Sequence, residues 1–302
     1  MSETLHVEVE PDVTIHVDRW AARLPGAPTV LALHGFSGNG AIFAGLAKAF
    51  DGAVEVLAID CRGRGRSSKP ADPARYGMRR HADDAAAVLR ALDRTDVVVV
   101  GTSMGAWIST QLAARHPDLV RAAILLDGGY FALLPAGTDP VAWANQVLLG
   151  AIDRMDMVIP DLDLAVAALR VAPGIGTIWD ADIERSLRAD FEEVDGGVRG
   201  RLRPVAAIAD ARSYHDPVED PYLRRDIARI TCPVHLVTAP EGLPITAETS
   251  SPPIMPAETV AEFQRALPQL TVEMAPDTNH FTVCLGPVAN ALVVAATREV
   301  LK

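Results

Sequence analysis

The stretch Val97-Val98-Val99-Val100-Gly101-Thr102-Ser103-Met104-Gly105-Ala106-Trp107 decides how this chain is to be read. Four β-branched residues in a row predict a strand buried on both faces, because a strand with one wet face alternates apolar and polar residues. Gly-x-Ser-x-Gly follows at once, and then an apolar, alanine-containing helical pattern. The expected unit is a strand, a very tight turn and a helix, with a serine at the apex. The glycines have a steric reason: side chains at Gly101 and Gly105 would collide with neighbouring strand and helix backbone. Ser103 is then expected in a strained conformation, with Oγ projecting above the sheet edge. The N–H of Met104, at the helix start, has no intrahelical acceptor and is free to point at a developing oxyanion.

Working outward, strands and helices alternate. Leu5–Val9 and Thr14–Asp18 read as an antiparallel hairpin. Val30–Leu33, Val54–Ile59, Ala122–Leu126, Val234–Thr238 and Leu270–Met274 read as short apolar strands. Ala41–Phe50, His81–Leu92, Met104–Ala114, Ala257–Leu267 and Pro287–Val300 read as the helices between and after them. This alternation predicts a mostly parallel sheet covered on both faces. Between Asp127 and Cys232 only helical candidates are expected: Pro140–Leu149, Leu162–Val171, Asp182–Val194 and Pro204–Tyr214. An all-helical insertion after one strand reads as a lid over the strands' carboxyl ends, where open α/β sheets bind ligands. The expected organisation is a core in two parts, residues 1–129 and 229–302, interrupted by a helical cap at 130–228.

The chain has 302 residues, enough for one large α/β unit with an insertion. Its net charge of −11 argues against nucleic acid and anionic membranes as partners. The first residues are acidic and lack an apolar core of signal-peptide type, and no run is long enough to span a bilayer. Cys61, Cys232 and Cys284 are scattered, without metal-ligand spacing, and read as reduced thiols. A cytoplasmic protein without metal or cofactor, monomeric or a homodimer, is expected.

Two further segments carry chemistry. The strand Val30–Leu33 runs into His34-Gly35-Phe36-Ser37-Gly38-Asn39-Gly40, whose glycines let backbone approach a substrate closely. The Phe36 N–H is the expected second oxyanion donor, and His34 is expected to hydrogen-bond the loop rather than act as a base. Near the other end, His280 lies just past the last strand and before the terminal helix, the position of the base in a Ser…acid…His order. The other seven histidines fit ordinary structural places.

His34-Gly35-Phe36, the segment Asp60-Cys61-Arg62-Gly63-Arg64-Gly65-Arg66-Ser67-Ser68, Gly101-Thr102-Ser103-Met104-Gly105 and Asn279-His280 together resemble the α/β-hydrolase superfamily, in its order and at its usual separations. The resemblance implies a mostly parallel eight-stranded sheet flanked by helices, with an inserted α-helical cap. It implies Ser103 as nucleophile, His280 as base, and Phe36 and Met104 as oxyanion donors. Arg62 and Arg64 read as parts of a structural turn. The acid departs from the common pattern: the usual position after Val234–Thr238 is Gly242, with Glu241 one residue early. Asp127, at the end of the preceding core strand, is the first candidate, and Glu241 or a cap acid such as Asp210 are the alternatives. His34, Gly35, Trp107 and Trp143 are candidate substrate contacts, and the cap's Trp179, Leu148, Leu149, Met155 and Met157 offer apolar surface.

The implied activity is hydrolysis of an ester, thioester or lactone of a small apolar molecule through an acyl-enzyme. An acyltransferase or a C–C bond hydrolase could use the same residues, and a ligand-binding receptor could retain them without turnover. Chemistry that needs an aspartate nucleophile is disfavoured, because the apex residue is Ser103.

Overall fold

All four residues Val97–Val100 are fully buried, and they alternate between two separate apolar clusters. Val97 and Val99 face the cluster built with α2 (Met78–Ala91) and α3 (Met104–Arg115). Val98 and Val100 face the cluster built with α1 (Ala44–Phe50) and α10 (Gly286–Val300). A strand with helices on both sides has no wet face, which is why Val97–Val100 includes no polar residue. The computed structural model describes residues 2–130, 139, 142, 155–246 apart from 216–219, and 248–302.

The strand belongs to an eight-stranded sheet. Its members are β1 (Glu3–Glu10), β2 (Val13–Trp20), β3 (Thr29–Leu33), β4 (Glu55–Ile59), β5 (Val97–Thr102), β6 (Val120–Leu126), β10 (Val234–Thr238) and β11 (Leu270–Met274), in the order β1-β2-β4-β3-β5-β6-β10-β11. From β4 through β11 every pairing is parallel; β1 and β2 form an antiparallel hairpin, and β2 also joins β4 antiparallel. This is the mostly parallel, helix-covered sheet expected from the strand–helix alternation, in the α/β-hydrolase arrangement that the family resemblance implies. β5 lies between β3 and β6, so the loops that leave these three strands meet at one place.

The segment between β6 and β10 corrects one expectation. It is not purely helical: β7 (Val158–Ile159), β8 (Phe191–Val194) and β9 (Gly197–Gly200) form a three-stranded antiparallel sheet in the order β7-β9-β8. The expected helix Asp182–Val194 ends early, as α5 (Ala181–Arg188). Asp195-Gly196 then turns β8 back onto β9, and Asp-Gly between two short runs is a favoured hairpin turn. Arg199, Arg201 and Arg203, a basic cluster in the sequence, converge on Glu192 of the neighbouring strand. The helices α4 (Leu162–Arg170), α6 (Pro204–His215) and α7 (Asp220–Ile227) complete the described part of this segment. Trp143, Leu148 and Leu149 lie outside the described residues.

Contacts between this segment and the sheet's loops are polar and close. Asn39 Nδ2 donates to the Ser186 carbonyl at 2.9 Å, and the Arg203 N–H donates to the Gly63 carbonyl at 3.2 Å. Gly174 approaches Phe281 and Pro244 so tightly that a Cβ there would lie 2.7 Å from either ring. Met157, by contrast, is 54% exposed, so it offers its apolar surface to water. All three cysteines are free thiols, with Cys61 and Cys284 buried. Among the described residues no helix is long and apolar enough to cross a membrane.

Candidate active site

Ser103 sits between the last residue of β5 and the first of α3 with φ 51° and ψ −117°. An L-residue with a side chain is strained there, because Cβ crowds the backbone. Close packing around the turn holds it. A Cβ at Gly105 would overlap the Leu33 carbonyl oxygen of β3, and one at Gly101 would overlap the Gly105 carbonyl. A Cβ at Gly128, just past β6, would lie 2.6 Å from the Ser103 carbonyl oxygen. Glycine at these three positions lets three adjacent strand ends close around one serine.

His280 is the first residue of α9 (His280–Cys284). Asn279 caps that helix through a reciprocal box with Thr282, and the His280 N–H donates to the Gly242 carbonyl at 3.1 Å. So anchored, the imidazole reaches two partners. Its Nε2 is 3.0 Å from Ser103 Oγ, and its Nδ1 is 2.7 Å from Asp127 Oδ2. An ionised carboxylate only accepts, so Nδ1 carries the proton and the Nε2 lone pair faces the serine hydroxyl. Asp127 is fully buried directly after β6, where its Oδ1 also accepts from the Ala239 N–H at 3.4 Å.

The other acids considered lie elsewhere. Glu241 is exposed and accepts a hydrogen bond from Ser250 Oγ at 2.9 Å. Asp210, in α6, is bonded to Arg64, His81 and the Gly77 N–H. Neither touches His280. β6 and β10 are neighbours in the sheet, so a carboxylate at the end of β6 reaches the imidazole that one after β10 commonly would.

The loop after β3 lies against the serine: a Cβ on Gly35 would be 3.4 Å from Ser103 Cβ. Phe36 follows Gly35 in this loop, and Met104 is the first residue of α3, directly after Ser103. His34 is fully buried, its Nε2 accepts from the Cys61 N–H at 3.0 Å, and its Nδ1 donates to the Gly35 carbonyl at 2.6 Å. It splints this loop to the turn after β4. Trp107 packs in the apolar cluster shared with α2. Arg62 is likewise structural, bonded to Asp84, Glu10 and the Arg75 carbonyl.

Burial pushes the His34 imidazole down to about 4, against the opposing pull of the Asp60 carboxylate. The unfolded chain takes up this proton near pH 6.5, the folded chain only near 4. Stability from the neutral splint is therefore present above pH 6.5 and is lost as pH falls from about 6.5 to about 4, by about 3 kcal/mol in all. Urea midpoints measured between pH 7.5 and 4 should show this loss in the native protein and a flatter profile in His34→Asn. Identical pH slopes for the two would contradict the assignment.

Arg64 and Asp210 form a buried pair. Their hydrogen bond spans 146 residues, and no local pattern announces it. Among the described residues no group of three or more His, Cys, Asp or Glu side chains is arranged to hold a metal ion.

A protein whose strand β5 delivers a serine at a strained turn, beside a histidine and an aspartate from neighbouring strand ends, has the architecture of a hydrolase. The family model described as alpha/beta hydrolase fold matches residues 28–168. The chain belongs to the α/β-hydrolase superfamily and is a hydrolase. It is 28% identical over 260 residues to 2-(acetamidomethylene)succinate hydrolase of Mesorhizobium japonicum, covering 86% of this chain and 84% of that one. The crystal structure of E-2-(acetamidomethylene)succinate hydrolase superposes with a TM-score of 0.78 at 24% identity, over 100% of this chain and 99% of the other. The thioesterase domain from the curacin biosynthetic pathway has the same fold, with a TM-score of 0.77 at 18% identity and 99% coverage of both chains.

Proposed function

We propose that this hydrolase works through a covalent acyl-enzyme on Ser103, with His280 as general base and acid and Asp127 as the carboxylate that orients it. The observation that carries the reading is the unbroken hydrogen-bonded line Asp127–His280–Ser103, ending on a serine at positive φ. His280 Nε2 takes the hydroxyl proton as Oγ attacks a carbonyl carbon. The oxyanion that forms accepts hydrogen bonds from the N–H groups of Phe36 and Met104. His280 then gives its proton to the leaving group as the acyl–leaving-group bond breaks. A water deprotonated by His280 attacks the acyl-enzyme, and the carboxylic acid leaves as Ser103 regains its proton.

Residues 130–228 act as the cap in this reading, and 1–129 with 229–302 as the core. The bond cleaved is a carboxylic ester, thioester or lactone of a small molecule. The likeness to 2-(acetamidomethylene)succinate hydrolase favours a second reading, in which the bond is an acyl–nitrogen bond, as in the acetamido group of that compound. The acylation chemistry is the same; only the leaving atom differs.

A fluorophosphonate probe should label the folded protein at Ser103 alone, as read by peptide mass spectrometry. Absence of labelling in the folded protein, or labelling that persists in Ser103→Ala, would sink the proposal. A panel of p-nitrophenyl esters, acyl thioesters, lactones and N-acyl enamines then assigns the bond. A product yield that rises with added alcohol or amine would point to acyl transfer instead of hydrolysis.

A further inference from the structure

We propose that Arg64 is a positioning residue for the oxyanion loop, clamped by Asp210 of α6 so that the seating of the inserted segment sets the Phe36 backbone. The proposal rests on the reading of Phe36 as an oxyanion donor.

Arg64 Nε donates to the Phe36 carbonyl at 2.8 Å, and its guanidinium carbon lies 5.1 Å from the centre of the Phe36 ring. One side chain therefore grips Phe36 at both its backbone and its ring. Nη1 of the same guanidinium bonds Asp210 and, at 3.3 Å, the Arg62 carbonyl. Asp210 in turn accepts from the Gly77 N–H at 2.7 Å and lies 3.0 Å from His81 Nε2. Arg64 and Asp210 are wholly buried. Burial raises the Asp210 carboxyl, but the His81 and Arg64 charges outweigh it and hold the group at about 2, so it stays ionised.

Stability alone is a poor reason for this arrangement. A buried ion pair loses its water, and apolar side chains of similar volume often stabilise a fold as well or better. Here one guanidinium nitrogen, Nη2, is buried without a hydrogen-bond partner among the described residues, a further cost. What the pair supplies is orientation. The planar guanidinium holds the Phe36 carbonyl and ring at a fixed place relative to α6, and with them the residue whose N–H the proposed mechanism uses as an oxyanion donor. Lysine carries the charge but lacks the fork that bonds Phe36 and Asp210 together.

The test compares the native enzyme with Arg64→Lys, Arg64→Met and Asp210→Asn, each checked for native circular dichroism and Tm. The substrate is p-nitrophenyl acetate, and the tetrahedral-adduct probe is an alkyl trifluoromethyl ketone. An oxyanion donor acts on the transition state more than on bound substrate. Folded Arg64→Lys should therefore lose about 10- to 100-fold in kcat with KM within threefold, and lose affinity for the ketone by a similar factor. Full kcat and ketone affinity in any folded variant would overturn the proposal. So would a loss confined to Tm, or to KM, which a merely structural or substrate-binding role would produce. Arg64→Lys decides if Arg64→Met does not fold, because it keeps the buried charge paired. Failure of the native protein to react with a fluorophosphonate would instead bring down the underlying acyl-enzyme reading.

Discussion

Ser103→Ala should abolish turnover, lowering kcat by about 10⁶-fold, and Ser103→Gly should be equally inactive yet more stable than Ser103→Ala by about 1 kcal/mol. The first effect is chemical. Without Oγ no acyl-enzyme forms, and the residual rate comes from the oxyanion donors and binding alone. The second effect separates the backbone from the chemistry. At φ 51° and ψ −117°, alanine keeps the Cβ that makes the turn costly, and both variants lose the same hydrogen bond to His280. Glycine removes the Cβ and the steric strain, of order 1–3 kcal/mol, but gives back part of it as unfolded-chain entropy. Urea unfolding of the two variants reads the difference directly. Equal midpoints would mean that the turn stores no strain, and turnover in Ser103→Ala within about tenfold of the native enzyme would remove the serine from the mechanism.

What made the fold readable in the sequence was sterics at short range. Val97–Val100 could only be a strand covered on both faces, and Gly101 and Gly105 only a turn too tight for side chains. Both expectations match the structure because each depends on neighbours a few residues away. The hairpin at Asp195-Gly196 carries the same kind of signal, but the helical composition before it outweighs that signal in the sequence. The charged run before it, from Asp182 through Glu193, has helical composition, and its last residues change partner to a strand only because β9 is there to receive them. The acid was ambiguous for a different reason. Asp127 and His280 are 153 residues apart, and whether Asp127 or Glu241 faces the imidazole depends on which strand ends adjoin it. Gly242 occupies the customary acid position here. Its carbonyl accepts the His280 N–H, and a Cβ on it would overlap the Pro252 carbonyl oxygen. No side chain, acidic or otherwise, fits there, and Glu241 turns outward to Ser250.

Asp127→Asn therefore gives the sharpest test of which carboxylate orients His280, with an expected fall of about 10⁴-fold in kcat, while Glu241→Gln stays within about twofold of the native enzyme. The asparagine is nearly the same shape, and it can still occupy the buried site beside the Ala239 N–H. Its amide, however, can donate to His280 Nδ1, which a carboxylate cannot do. That stabilises the tautomer with the proton on Nε2, which then has no lone pair to take the Ser103 proton. The charge that would stabilise the imidazolium in the transition state is lost as well. Because acylation by a fluorophosphonate needs the same proton transfer, the labelling rate at Ser103 should fall along with kcat, while Tm changes little. A labelling rate that holds while kcat falls would place the defect in deacylation alone. A 10⁴-fold loss in Glu241→Gln with native rates in Asp127→Asn would require His280 to swing toward the loop after β10 during catalysis, and would reassign the acid.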